Sequence, residues 1–251
     1  MTNFRKLLFL SLALLLASCA KSPDTASDLS SSDEIVLPKI HYHIVVISGF
    51  ESDPTAEQIA GTSPRRVGNS GMYQLMGDLK AKNFDCSFYN WNGTQAGNIR
   101  DKKAPKSKGI AADMLARLED NPDTEFVLIG HSWGGHTLLE VAAELSENEK
   151  AIIKYATVVD PSSLMRGKRV EQLPVNIPIL VNYYTGNAFC WGAWKDEERV
   201  ENIELGDSAN GFSVDGRPNY GSKFDTHAHT AAEWDEKIHA DICKRVTEAT
   251  K

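Results

Sequence analysis

The chain has 251 residues and a formal net charge of −7, with 34 acidic side chains against 27 lysines and arginines. An acidic surface speaks against nucleic-acid partners and against electrostatic docking on anionic lipid. The length suits one folded domain behind a leader, and no internal repeat divides it.

At the N-terminus, Arg5 and Lys6 precede an apolar run over residues 7–16. That run is far shorter than the ~20 residues of a spanning helix and reads as an export signal, residues 1–18. It closes on Leu16-Ala17-Ser18-Cys19, which resembles the bacterial lipobox. The resemblance implies cleavage before Cys19 and lipid on its thiol, which would tether the protein to a membrane without spanning it. Ala20-Lys21, with no aspartate, implies the outer membrane of the cell envelope. An ordinary secretory signal or a retained anchor is the alternative. The polar, turn-prone stretch that follows makes residues 19–37 a tether and leaves 38–251 as the folded domain.

Within that domain, Ile44-Val45-Val46-Ile47 suits a strand covered on both faces. Residues 72–79 carry a helical pattern, 86–91 alternate as a strand, and 110–118 are helical with Ile110, Met114, Leu115 and Leu118 on one side. Phe126-Val127-Leu128-Ile129 then runs straight into Gly130-His131-Ser132-Trp133-Gly134, and residues 137–145 continue as a helix. Strands follow over 155–159, 179–184 and 200–205. A closing helix over 231–247 is spaced by Trp234, Ile238, Ile242 and Val246. Such alternation predicts an α/β fold, a doubly wound, mainly parallel sheet.

The chemistry centres on G-x-S-x-G between a strand and a helix. A sharp turn there lifts Ser132 clear of the sheet and aims the first helix amides at the same point. A serine hydroxyl needs a base to take its proton, and that base needs a carboxylate to hold its tautomer. Asp160 is the candidate acid because it directly follows the 155–159 strand, at the crevice end of the sheet. Its alternative role is to cap a turn before Pro161, and Asp196 or Asp225 would then be next. His227 and His229 compete for the base in a loop expected before the last helix. His229 is preferred because it abuts the helix start. The backbone amides of Trp133 and Phe50 are the expected oxyanion donors. Gly49 would let the backbone approach a substrate, and His131 is expected as a pocket wall. His41, His43 and His239 read as structural or surface residues.

The elbow at residues 130–134 and the Ser…Asp…His order resemble the α/β-hydrolases, over about residues 38–250. Val158-Val159-Asp160-Pro161 resembles the lipase branch, in which the acid follows the strand after the nucleophile strand. The connection from Asp160 to Ile177 is short, which predicts a minimal fold without a large cap. The resemblance implies acyl transfer from an ester, thioester or lipid substrate to water, with no metal or organic cofactor. A non-catalytic binding lipoprotein, or an amidase using the same three residues, would share these features.

Phe189, Trp191, Trp194, Phe212, Tyr220 and Phe224 either line an acyl pocket or anchor a long loop. Arg65 and Arg66 either meet an acidic substrate or are solvated. Cys86, Cys190 and Cys243 are an odd number for an oxidising compartment, so at most one pair can bridge within a monomer. No cysteine pair has metal-ligand spacing and there is no H-E-x-x-H, so no metal site is expected. The oligomeric state is not legible.

Overall fold

The computed structural model describes residues 40–50, 52, 54–60, 70–95, 106–164, 168–195, 197–212 and 220–251. Cys19, the expected tether over residues 19–37, Arg65, Arg66 and Asp196 lie outside them. The folded unit spans Pro38–Lys251, and none of its described helices is long and apolar enough to cross a membrane.

Six parallel strands form one sheet: β1 (His41–Ser48), β2 (Asp85–Asn90), β3 (Thr124–His131), β4 (Ile153–Val159), β5 (Leu180–Tyr184) and β6 (Val200–Glu204), in the spatial order β2-β1-β3-β4-β5-β6. This is the expected doubly wound α/β sheet, parallel throughout. The described helices are α1 (Ala56–Ile59), α2 (Gly71–Lys80), α3 (Lys106–Asp120), α4 (Trp133–Leu145), α5 (Thr226–Ala232) and α6 (Glu236–Ala249).

The unbroken apolar runs of the central strands follow from burial on both faces. Ile44, Val46, Val127 and Ile129 pack with Leu75, Ile238 and Ile242 in one core. Their neighbours Val45, Ile47, Phe126 and Leu128 pack with Ile110, Met114 and Leu138 in the other. The chain steps from β1 to β2 on one side and returns to β3 on the other. That reversal falls between β1 and β3, the place in an open α/β sheet where a ligand crevice is expected at the carboxyl ends, and Gly49 and Ser132 directly follow those two strands.

Two boundaries differ from expectation. The closing helix is two helices, because Asp235 caps α6 by accepting from Lys237 N and Ile238 N, and this ends the previous run. The segment of His227 and His229 is α5 rather than an extended loop, with Asp225 as its N-cap. Cys86, Cys190 and Cys243 are all free thiols.

Candidate active site

Ser132 is the N-cap of α4, yet its side chain makes no capping bond, whereas Ser70 on α2 accepts from Tyr73 N in the ordinary way. The reason is its backbone, φ 54 and ψ −123, a strained conformation for a residue with a β-carbon. Gly134 makes the turn possible: a β-carbon there would lie 2.3 Å from the carbonyl oxygen of Ile47. Freed from capping, the Ser132 hydroxyl stands 2.8 Å from Nε2 of His229.

His229 Nδ1 is 2.6 Å from Oδ2 of Asp160. Asp160 directly follows β4 with φ 45, and it is fully buried. Thr185, one residue past β5, donates both its amide and its hydroxyl to that carboxylate at 2.8–2.9 Å. Burial alone would raise the Asp160 pKa; the bond and charge of His229, then Thr185 and Cys190, outweigh it and hold the carboxyl below its ordinary value. An ionised Asp160 accepts from Nδ1–H, which leaves the Nε2 lone pair facing the serine.

The competing residues fall elsewhere. His227 is exposed, and two positions apart on a helix point to nearly opposite sides. Asp225 spends its carboxylate on the His227 amide.

Trp133 is the first residue of α4, so its amide lies at the helix N-terminus directly after Ser132. A β-carbon on Gly49 would meet the Ser132 β-carbon at 2.8 Å, so the β1 loop passes directly against the serine. Beside it, the Phe50 ring packs on Trp133 with centroids 4.6 Å apart, and Trp91 meets Trp133 edge-on at 4.8 Å. Phe50 remains 45% exposed.

His131, expected as a pocket wall, is buried beside His229: its ring stacks on that of His229 at 4.8 Å and its Nε2 meets the His229 carbonyl at 3.2 Å. Burial first, and the neighbouring His229 second, bring its pKa down to about 3, so it stays neutral.

Two residues at the site were not anticipated. Glu233, the C-cap of α5, is fully enclosed; it accepts from Ser52 Oγ at 3.1 Å and from the amides of Gly71 and Met72. It thereby joins the β1 loop, the start of α2 and the helix that carries His229, and burial pushes it up to about 7. Cys190 donates its S–H to Asp160 Oδ2 at 3.2 Å. Burial and the Asp160 charge push that thiol up. Asp160, Cys190 and His229 offer three ligand atoms within 4.8 Å of one another, a grouping that spacing in the sequence could not reveal.

Most of the aromatic segment anchors its loop. Trp194 and Tyr220 are buried, Tyr220 donates to Asp235, Phe212 packs edge-on against Tyr183, and Arg169 covers Trp191 and Trp194. Phe189 and Phe224 stand exposed.

No family model and no curated protein matches the chain. Among solved structures it is similar in chain path to a cutinase-like protein from Cryptococcus sp., at 13% identity over 84% of this chain and 95% of that one, TM-score 0.45. An acetylxylan esterase overlaps at 11% identity over 85% and 99% of the two chains, TM-score 0.43. A type II thioesterase from a yersiniabactin pathway overlaps at 12% over 84% and 95%, TM-score 0.41.

Proposed function

We propose that the protein is a serine hydrolase that cleaves carboxylic esters or thioesters, lipid esters among them, through an acyl-enzyme on Ser132. The observation that carries this reading is the continuous line from Ser132 Oγ through His229 to Asp160, with separations of 2.8 and 2.6 Å, ending at a serine whose backbone is strained to present it.

As Oγ attacks the acyl carbon, Nε2 of His229 takes the hydroxyl proton. Asp160 stabilises the resulting imidazolium. The oxyanion is received by the amides of Trp133 and Phe50. His229 then gives its proton to the leaving alkoxide or thiolate, and water repeats the sequence in reverse to free the acid. The carboxylate keeps its charge throughout, in keeping with the two donors Thr185 supplies. His131, neutral and stacked on His229, fixes the ring's tilt without competing for the proton.

The exposed Phe50 beside Trp133 and Trp91 favours an apolar group next to the scissile bond. On the sequence of residues 1–19, the same reading places the enzyme on a lipid anchor at Cys19, facing the cell envelope. The test of the chemistry is fluorophosphonate labelling of the purified protein, then hydrolysis of p-nitrophenyl esters of rising chain length. Stoichiometric labelling at Ser132 and turnover are expected, and an unlabelled, inactive protein would leave only a binding role. The anchor is tested by Cys19→Ser, which should release the protein from membranes or block signal cleavage; unchanged fractionation and processing would remove it.

A further inference from the structure

The carboxylate side of His229 holds a thiol that the proposed reaction does not use. Cys190 Sγ lies 3.2 Å from Asp160 Oδ2 and 3.3 Å from His229 Nδ1. It is held there by the fold. Its own amide donates to Asn187 O at 3.1 Å, and the next amide, Trp191 N, donates to Pro161 O at 2.9 Å, pinning the β5 loop against the β4 loop. Asp160 is buried, while Cys190 and His229 each keep part of their surface in solvent. The cysteine side of the group therefore lies closest to solvent.

We propose that Cys190 Sγ, His229 Nδ1 and Asp160 Oδ2 form an inhibitory site for a thiophilic divalent cation, Zn2+ or Cd2+. Thiolate, imidazole and carboxylate together make a donor set suited to such ions. With bonds of about 2.0–2.3 Å, tetrahedral ligands sit roughly 3.3 Å or more apart. The pairs that include sulfur should lie about 3.5 Å apart, so the observed 3.2 and 3.3 Å need only a small expansion. The Nδ1 to Oδ2 distance, 2.6 Å, must open further, and Asp160 can stay anchored through Oδ1 on the Thr185 amide.

Charge and protons balance. Before binding, the group comprises a carboxylate, a neutral thiol and a neutral imidazole, one negative charge in all. The ion displaces the thiol proton to solvent and sits between thiolate and carboxylate, so the filled site is neutral. A neutral cluster is the form a buried position tolerates. The ion also takes the Nδ1 lone pair, which obliges the single imidazole proton to move to Nε2. His229 then presents N–H to Ser132 and cannot accept its proton. A base locked in the wrong tautomer costs up to about 10⁴-fold in serine hydrolases. The occupant would thus switch the enzyme off without touching the serine or the substrate crevice.

The inhibitory consequence rests on the hydrolase reading; the ion site does not, so the experiment has two arms. In the Ser132→Ala protein, Cd2+ should raise one equivalent of thiolate-to-metal ultraviolet absorption, lost in Ser132→Ala/Cys190→Ser and competed away by Zn2+. In the unmodified chain, Zn2+ should lower p-nitrophenyl ester turnover by ~10²-fold or more, reversibly with EDTA. Mg2+, which prefers all-oxygen shells, should do nothing. Cys190→Ser, compared with its own metal-free rate, should need at least about tenfold more Zn2+ for the same inhibition. Cys190→Ala serves where the serine variant does not fold, as checked by circular dichroism.

Absence of the absorption, its survival without Cys190, or unchanged Zn2+ sensitivity in both Cys190 variants would overturn the proposal. An absorption that depends on Cys190, in a protein with no esterase activity and no phosphonate labelling, would keep the ion site and remove the hydrolase reading.

Discussion

At the carboxyl end of the sheet Ser132, His229 and Asp160 stand 2.8 and 2.6 Å apart; at the amino end Ser87, His43 and Asp85 stand 3.1 and 2.7 Å apart. The residue types and the order of contacts are the same. The surroundings differ in each respect that matters for chemistry. Ser132 sits on a strained elbow at a helix N-terminus, while Ser87 lies in regular β2 with its backbone opposite Val45. Asp160 is sealed and serves one histidine; Asp85, with 40% of its side chain exposed, is shared among His43, His41 and Arg117. The Arg117 guanidinium also donates to Ser87 Oγ at 3.1 Å, which covers a lone pair that a nucleophile would need. Three side chains at hydrogen-bond distance do not by themselves define a hydrolytic site; at the carboxyl end the serine oxygen faces a single histidine at the start of a helix, whereas Ser87 is shared with a guanidinium.

The largest test of that contrast is Ser132→Ala. Phosphonate labelling should vanish and turnover fall by several orders of magnitude. Far-ultraviolet dichroism should be unchanged and Tm should stay close to the parent, since alanine keeps the same β-carbon and only the hydroxyl's contact with His229 is lost. Residual labelling at any other serine, Ser87 above all, would break the comparison outright.

Next come the partners. Asp160→Asn should cut kcat by about 10³- to 10⁴-fold, and His229→Ala should do the same. The double variant should lose little more than either alone, because members of one catalytic unit are strongly non-additive. His227→Ala should keep most activity. A dead His227→Ala with an active His229→Ala would reassign the base while leaving the hydrolase reading in place.

What the sequence made legible at this end depended on local signals. The β3 run, the tight glycines and the apolar helix after Ser132 mark the elbow, and Asp160 is found because it stops a strand. The helical setting of His229 was also signalled, by Asp225 as an N-cap, but two histidines beside a Gly- and Pro-bearing stretch read more readily as loop. Asp235 is a comparable cap, hidden because the spacing of Trp234, Ile238, Ile242 and Val246 runs across it. Cys190 and Glu233 carried no local signal. Their meaning comes from contacts 30 and 181 residues away in the chain, and spacing cannot report those. The same limit hid the Ser87, His43 and Asp85 arrangement, which joins two strands 42 to 44 residues apart.

A pH measurement sharpens the contrast between the two ends. Glu233 has its pKa raised by burial from 4.5 to about 7, so folding binds a proton and stability should fall as pH rises from about 4.5 to about 7. Asp85 is held below its ordinary 3.8, because its histidine partners outweigh its partial burial. Its contribution is present above that value and is lost as pH falls through the depressed pKa. Glu233→Gln should therefore flatten the decline in Tm between about pH 5 and pH 8 while leaving the acid limb unchanged. The glutamine oxygen can still face Gly71, and the Ser52 hydroxyl can turn to accept from its amide. An unaltered Tm profile between pH 5 and 8 would mean that Glu233 is already ionised, its three donors having overcome burial.

The smallest effect is expected of Ser87→Ala. Its hydroxyl gives one bond to His43 and takes one from Arg117, and both partners keep Asp85. Losing it should cost on the order of 1 kcal/mol, a few degrees in Tm at this size. Turnover should stay within about twofold of the parent, since nothing at the carboxyl end moves. His43 is the more demanding control at the same end, being buried with its ring edge-on to Phe126. His43→Ala should cost about 2–3 kcal/mol through the cavity and the stranded Asp85 contact, again with kcat preserved in the folded fraction. A rate loss in Ser87→Ala without a matching loss of stability would mean that the amino-end arrangement takes part in turnover, and the difference in surroundings would then have to be sought somewhere other than the elbow.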